Sequence, residues 1–360
     1  MSSLKFSKTT QIKPVPTNII TGFLGSGKST LIQSLLSNKD NDEYWVILIN
    51  EFGEVGLDEQ IIEATIEQNN KQNPANNPKK GQIQISQIAG GCLCCANGVP
   101  FQVALVQLLK QQDRSPDRLL IEPTGLGHPK QIITQLMDRP FIELQTVFTV
   151  VDPRKVQDKR YAEHDLYRTQ IEVADVIVCN KQDVFVDEDI KLFETWMDQQ
   201  FIQPNLLVKT IQGKIDENLL DKYRPNSKSL KPKLNLLLNP QKQTAESVDF
   251  MEYQSQQSSK PIQVFEQNVE GFYALGFIFD ESYHFDEIEI VNELMDIDII
   301  RIKALIKTKN KVLIINAVDN VMTQTTSTDD ITQSRFQFIS HDPISTKDVQ
   351  TLILNAKAKG

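Results

Sequence analysis

Apolar and polar positions along the chain fall into two rhythms. From the N-terminus to residue 225, short apolar runs alternate with stretches of helical period. Asn18-Ile19-Ile20-Thr21 reads as a short strand, followed by a glycine-rich turn and by Ser29–Leu36 at helical spacing. Tyr44–Ile49 is a buried-strand run, and Ile83–Ile88 alternates with period two. Leu119-Leu120-Ile121, Val147–Val151 and Val173–Cys179 complete the series. Strands that alternate with helices predict an α/β fold, a mostly parallel sheet flanked by helices on both faces.

Two segments interrupt this rhythm. Residues 68–80, QNNKQNPANNPKK, are polar and Asn-rich and read as a surface loop. Residues 239–260 are rich in Gln and Ser, with almost no apolar period, and read as linker. Beyond them the pattern changes. Phe272–Phe279 is strand-like and Asp286–Met295 carries a helical apolar stripe. Ile299–Thr308 and Lys311–Val318 read as two strands joined by a tight turn; Phe336–Ser340 is a last strand and Thr346–Lys357 a closing helix. The expected organisation is an α/β domain over 1–225, a polar linker over 226–260, and a smaller α+β domain over 261–360.

Composition narrows the partners. The 360 residues are 40% hydrophobic and 24% charged, which predicts a packed core. A formal net charge of -9 makes nucleic acid an unexpected partner. The N-terminus lacks an apolar signal core, and nothing approaches the roughly 20 apolar residues of a membrane span. The expected compartment is the cytoplasm, where thiols stay reduced.

The chemistry begins at Gly22-Phe23-Leu24-Gly25-Ser26-Gly27-Lys28-Ser29, which fits G-x-x-x-x-G-K-[ST] at every position. Gly22, Gly25, Ser26 and Gly27 let backbone N–H groups turn toward phosphate, and the helix that opens at Lys28, Ser29 and Thr30 presents its positive end to the same anion. Lys28 is expected to reach the β- and γ-phosphates, and Ser29 to offer its hydroxyl to Mg²⁺. Leu119-Leu120-Ile121-Glu122-Pro123-Thr124-Gly125 ends an apolar strand in a carboxylate, at the edge of a sheet where ligands sit. Glu122 is expected to hold Mg²⁺ directly or through water, and Gly125 to give its N–H to the γ-phosphate. Asn180-Lys181-Gln182-Asp183 follows a later strand. An Asp there accepts from the N1–H and exocyclic amine of guanine; adenine lacks that donor pair, and a buried carboxylate without donors is costly.

Of four cysteines, Cys92, Cys94 and Cys95 lie within four positions, behind two glycines. Three convergent sulfurs suit one soft ion; zinc takes four ligands, with sulfur at about 2.3 Å. Glu51 and Glu54, in Asn50-Glu51-Phe52-Gly53-Glu54, are the candidates to complete the shell, with His128 behind them. A thiol redox switch is the alternative for the same cluster. Cys179 ends an apolar strand and is expected in the core.

Taken in order, GFLGSGKS, NEFGEVG, GGCLCC, IEPTG and NKQD resemble the CobW-type GTPase family, and FYALGFIF, RIKALIKT and KVLIINAV are similar to its small C-terminal domain. The resemblance implies a P-loop GTPase that handles zinc, with cobalt the runner-up, and delivers it to a client metalloprotein. It implies catalytic roles for Lys28, Ser29 and Glu122, a metal motif at Cys92, Cys94 and Cys95, and guanine recognition by Asn180, Lys181 and Asp183. The implied cofactors are GTP, Mg²⁺ and Zn²⁺ (or Co²⁺), and the chain is expected as a monomer or homodimer without nucleic acid or membrane. The family's His-rich stretch is missing: His128, His164, His284 and His341 are isolated. A nucleotide-dependent redox sensor, a small-molecule kinase and a GTP switch without metal delivery remain alternatives.

Overall fold

The computed structural model describes residues 13–40, 42–49, 83–87, 105, 108–109, 115–137, 139–223, 261–269, 271–297, 299–318, 321–327 and 331–358. Its first sheet has seven parallel strands: β1 (Val15–Thr21), β2 (Trp45–Ile49), β3 (Ile83–Gln87), β4 (Arg118–Glu122), β5 (Ile142–Val151), β6 (Val176–Cys179) and β7 (Leu206–Lys209). They lie in the order β3-β2-β4-β1-β5-β6-β7. Thr17 on β1 pairs with Leu119 of β4 on one side and Leu144 of β5 on the other. The order therefore reverses around β1, and a crevice opens at the carboxyl ends of β1, β4 and β5.

Helices cover both faces, as continuous apolar strands require. Helix α1 (Lys28–Asn38) places Leu31, Ile32, Leu35 and Leu36 against Ile20, Ile47, Leu120 and Phe148. The spacing i, i+1, i+4, i+5 forms one stripe, and burying each such side chain contributes about 1.5–3 kcal/mol. Helix α2 (Pro129–Met137) packs Ile132, Ile133 and Leu136 on the opposite face, against Ile19, Leu48 and Ile121. Helices α3 (Asp165–Glu172) and α4 (Asp187–Gln199) follow β5 and β6. The His164 ring caps α3, with Nδ1 accepting from the Leu166 N–H at 3.2 Å.

The first sheet departs from the sequence expectation at several strand bounds, and β7 has no counterpart among the expected runs. Strand β5 starts at Ile142 rather than Val147, so it includes Gln145 and Thr146, polar yet buried. Thr146 is accommodated because its hydroxyl donates to the Leu219 carbonyl at 2.6 Å. Strand β6 starts at Val176 rather than Val173, because Val173 caps the C-terminal end of α3 and the Asp175 carboxylate turns back to accept from the Val147 N–H at 2.9 Å.

The second sheet is antiparallel, with six strands ordered β12-β11-β10-β13-β9-β8. These are β8 (Ile262–Val269), β9 (Phe272–Phe279), β10 (Arg301–Lys307), β11 (Val312–Val318), β12 (Val321–Ser327) and β13 (Ser334–Ser340). One face carries Phe277, Phe279, Ile302, Ile306, Phe336 and Phe338 into a core closed by α5 (Glu287–Met295) and α6 (Thr346–Asn355). The alternate residues face the other way. Phe272, Ala274 and Ile339 from that second face, with Ile300, join Phe23, Leu24 and Leu126 in one buried cluster. The two domains therefore share a core, and the shared part includes the glycine-rich loop after β1.

Candidate functional site

The loop after β1 and the first turn of α1 set the geometry of the crevice. Gly27 has φ 103°, a left-handed backbone, and a Cβ there would overlap the Asn180 side chain. Only glycine satisfies both demands. Lys28 follows and is 6% exposed. Its ammonium curls back to donate to the carbonyls of Gly22 at 3.0 Å and Phe23 at 3.4 Å. Burial first, and the positive charge of Arg301 after it, lower the Lys28 pKa to about 8 against an opposing pull from Glu122. An anion in the loop reverses that shift, because it stabilises the charged amine. The Ser26 hydroxyl is buried and has no hydrogen-bond partner among the described residues. An orphaned hydroxyl next to a desolvated ammonium and a helix N-terminus fits phosphate oxygens, which accept from all three.

Glu122 ends β4 and meets α1. Its Oε1 accepts from the Ser29 hydroxyl at 3.2 Å, so the two oxygens expected to serve Mg²⁺ stand together. The donor set, one hydroxyl and one carboxylate beside a phosphate cradle, fits the oxygen preference of that ion. Gly125 lies three residues on, and a Cβ there would stand 2.8 Å from Leu24 Cδ2 and 3.1 Å from the Leu24 nitrogen. The buried Gln170 of α3 donates to the carbonyls of Gly125 at 2.9 Å and Gly127 at 3.2 Å, which fixes this turn.

The NKQD segment closes the third side. Asn180 Nδ2 donates to the Ser26 carbonyl at 3.3 Å, while its Oδ1 accepts from the Gly213 N–H at 3.1 Å. One side chain thus ties the phosphate loop to the turn after β7. Lys181 adopts a left-handed backbone, φ 67°, and sends its ammonium to Asp152 at 3.3 Å. Burial pushes the Asp152 carboxyl up, but hydrogen bonds and charge from Arg154 and Lys181 hold it below the usual carboxylate range. Asp183 is exposed.

Contacts join Gly22, Gly25, Ser26, Gly27, Lys28, Ser29, Glu122, Gly125 and Asn180 at the carboxyl ends of β1 and β4, with Thr30 on the same first turn of α1; Lys181 follows Asn180 and bonds to Asp152, and Asp183 is exposed two residues on. Cys92, Cys94, Cys95, Glu51 and Glu54 lie outside the described residues. Among the described residues, no group of three His, Cys, Asp or Glu side chains is placed to hold a metal. His128 is half-buried just before α2. Cys179 is buried and its thiol is pushed far up, by desolvation above all, so it is inert core as expected. Sequence reasoning missed Asp152, Gln170 and the Gln212-Gly213 turn. Of these, the last carried a signal, a glycine just beyond an apolar strand.

Residues 16–205 match the family described as CobW/HypB/UreG, nucleotide-binding domain. The chain is 34% identical over 348 residues to the zinc chaperone YeiR of Escherichia coli K12, covering 95% of this chain and 98% of that protein. It is 27% identical over 230 residues to the zinc chaperone CobW of a Sinorhizobium species, covering 57% of this chain and 62% of that one. It is 29% identical over 217 residues to zinc-regulated GTPase metalloprotein activator 1 of Schizosaccharomyces pombe, covering 57% and 48%.

Proposed function

We propose, from the premise that this chain belongs to the CobW/HypB/UreG family, that it hydrolyses GTP and uses the nucleotide cycle to carry zinc to a client metalloprotein. The observation that carries the reading is the Asn180 side chain, bonded at once to the phosphate loop and to the turn after β7. It fixes the distance between a phosphate end and a base end of one crevice.

Each residue then has a task. Lys28 neutralises the β- and γ-phosphates, and Ser26 gives its hydroxyl to a phosphate oxygen. Ser29 and Glu122 would hold Mg²⁺, which would supply positive charge to the phosphates. Gly125 offers its N–H at the far end, on a turn that Gln170 holds in place. Asp183 accepts from guanine, and Lys181, clamped on Asp152, gives the base a flat wall. Cys92, Cys94 and Cys95 take zinc, with Glu51 or Glu54 completing the shell; cobalt is the second metal for the same set.

The Cys motif lies in sequence between Asn50-Glu51-Phe52-Gly53-Glu54 and Ile121-Glu122-Pro123-Thr124-Gly125. In this reading zinc affinity differs between the GTP and GDP states, and zinc then alters GTP affinity by the same factor. The test is zinc affinity of the whole chain with a GTP analogue, with GDP and with no nucleotide, for the wild type and for a Cys94→Ser/Cys95→Ser variant. One zinc bound through the cysteines, with an affinity that changes with nucleotide, supports a GTP-gated carrier. Equal affinity in all three states, or no loss in the variant, rejects it.

A further inference from the structure

The second domain puts a cation at the phosphate loop. In the antiparallel sheet, Arg301 on β10 pairs directly with Val318 of β11 on one side and Ile339 of β13 on the other. Residues directly opposite in such a ladder point to the same face. Both neighbours point at the loop after β1. Val318 stands over Gly25, whose missing Cβ leaves room for Val318 Cγ1, with Cγ2 3.1 Å from the same position. Ile339 packs into the cluster that holds Phe23 and Leu24, and so does Ile300, the residue before Arg301. Arg301 lies between these two and shares their direction. Its charge is felt at Lys28, whose ammonium it disfavours.

Glu122 acts on the Lys28 ammonium more strongly than Arg301 does, and a phosphate seated on the loop is an anion that both cations favour. We propose that Arg301 is a catalytic residue supplied by the second domain, and that its guanidinium engages a terminal phosphate oxygen of the nucleotide seated on the loop. The assignment rests on the reading of this crevice as a GTP site. In hydrolysis, the oxygen of water bonds to the γ-phosphorus and the bond to the β,γ-bridging oxygen breaks. That oxygen keeps the electron pair on GDP, and both hydrogens of water leave with inorganic phosphate, as H₂PO₄⁻. Arg301 stabilises the charge that builds on the phosphoryl oxygens without exchanging a proton. Because the residue belongs to β10, loss of the γ-phosphate also removes one reason for the second domain to stay on the loop.

The experiment uses the full chain and its Arg301→Ala and Arg301→Lys variants, with fluorescent GDP and GTP for binding and phosphate release for turnover. Both variants are expected to bind GDP within about threefold of the wild type and to release phosphate about 10³-fold more slowly. Lys fails to restore the rate because it lacks the planar fork. Turnover within about threefold of wild type in Arg301→Lys, at an unchanged melting temperature, overturns the assignment while leaving the GTP reading intact. A wild-type chain that neither binds nor hydrolyses GTP overturns both. If Arg301→Ala does not fold, Arg301→Lys alone decides.

Discussion

The Ser29 hydroxyl donates to Glu122 Oε1 at 3.2 Å across 93 residues of sequence, joining the first turn of α1 to the end of β4. The pair gives the phosphate site a carboxylate-hydroxyl edge. Glu122→Gln keeps the shape and removes the charge. The expected result is an apparent Mg²⁺ affinity in GTP hydrolysis about 10–100-fold weaker, partly recovered at high Mg²⁺. A Mg²⁺ titration of turnover checks it; an unchanged midpoint removes Glu122 from the site.

Lys28 makes the nucleotide-free protein sensitive to alkaline pH. Its folded pKa, about 8, lies below the ordinary 10.5, through burial first and Arg301 next. Between those values the unfolded chain holds more protons than the folded one, so this group's contribution to stability improves as pH rises. Below about 8 the charged amine is buried at full cost, on the order of a few kcal/mol. Lys28→Met is therefore expected to raise the melting temperature of the free protein at pH 7 by about 3 °C or more, and to flatten the trend above pH 8. A variant that melts at or below the wild type throughout shows that the ammonium carries no such cost.

Gly25 has φ +71° and lies under Val318. Gly25→Ala is expected to destabilise the protein by about 1–3 kcal/mol, from backbone strain and from the overlap together. Val318→Ala relieves the overlap and leaves the strain. Denaturant unfolding of both single variants and the double variant should give a coupling energy of about 1 kcal/mol. Strict additivity would mean that the two domains do not meet at this point in solution.

Asp183 predicts base choice. Asp183→Asn replaces an acceptor with a donor, so GTP affinity is expected to fall by about 10²-fold or more while affinity for xanthosine triphosphate rises. Competition binding with both nucleotides measures the ratio. Parallel losses for both would place Asp183 away from the base.

The parallel sheet was legible because its central strands are continuous apolar runs, such as Trp45–Ile49, and because glycine punctuates the turn at Gly22. Polar strands were not. Thr146 is buried in β5 with its hydroxyl on distant carbonyls, and no local pattern reveals that. The edge strand Val321–Ser327 is mostly exposed and polar, and Met322 alone packs on the core, too little to form an apolar period. The phosphate and base motifs were readable as spacing, while Asp152 and Gln170 act across 29 and 45 residues and left no local trace. Arg301 and Val318 read as ordinary strand residues; only the packing of one sheet on another domain's loop gives them a place.

Phe23 lies edge-on to Tyr161, His164, Tyr167 and Phe272, with ring centroids 5.3, 5.5, 5.8 and 5.7 Å away. Three of these rings belong to the first domain and the fourth opens β9 of the second. The nucleotide loop is thus also the adhesive between the halves of the molecule. Severing the chain between Tyr223 and Pro261 should leave two fragments that reassemble without a covalent link, and the strength of that reassembly should report which nucleotide is bound.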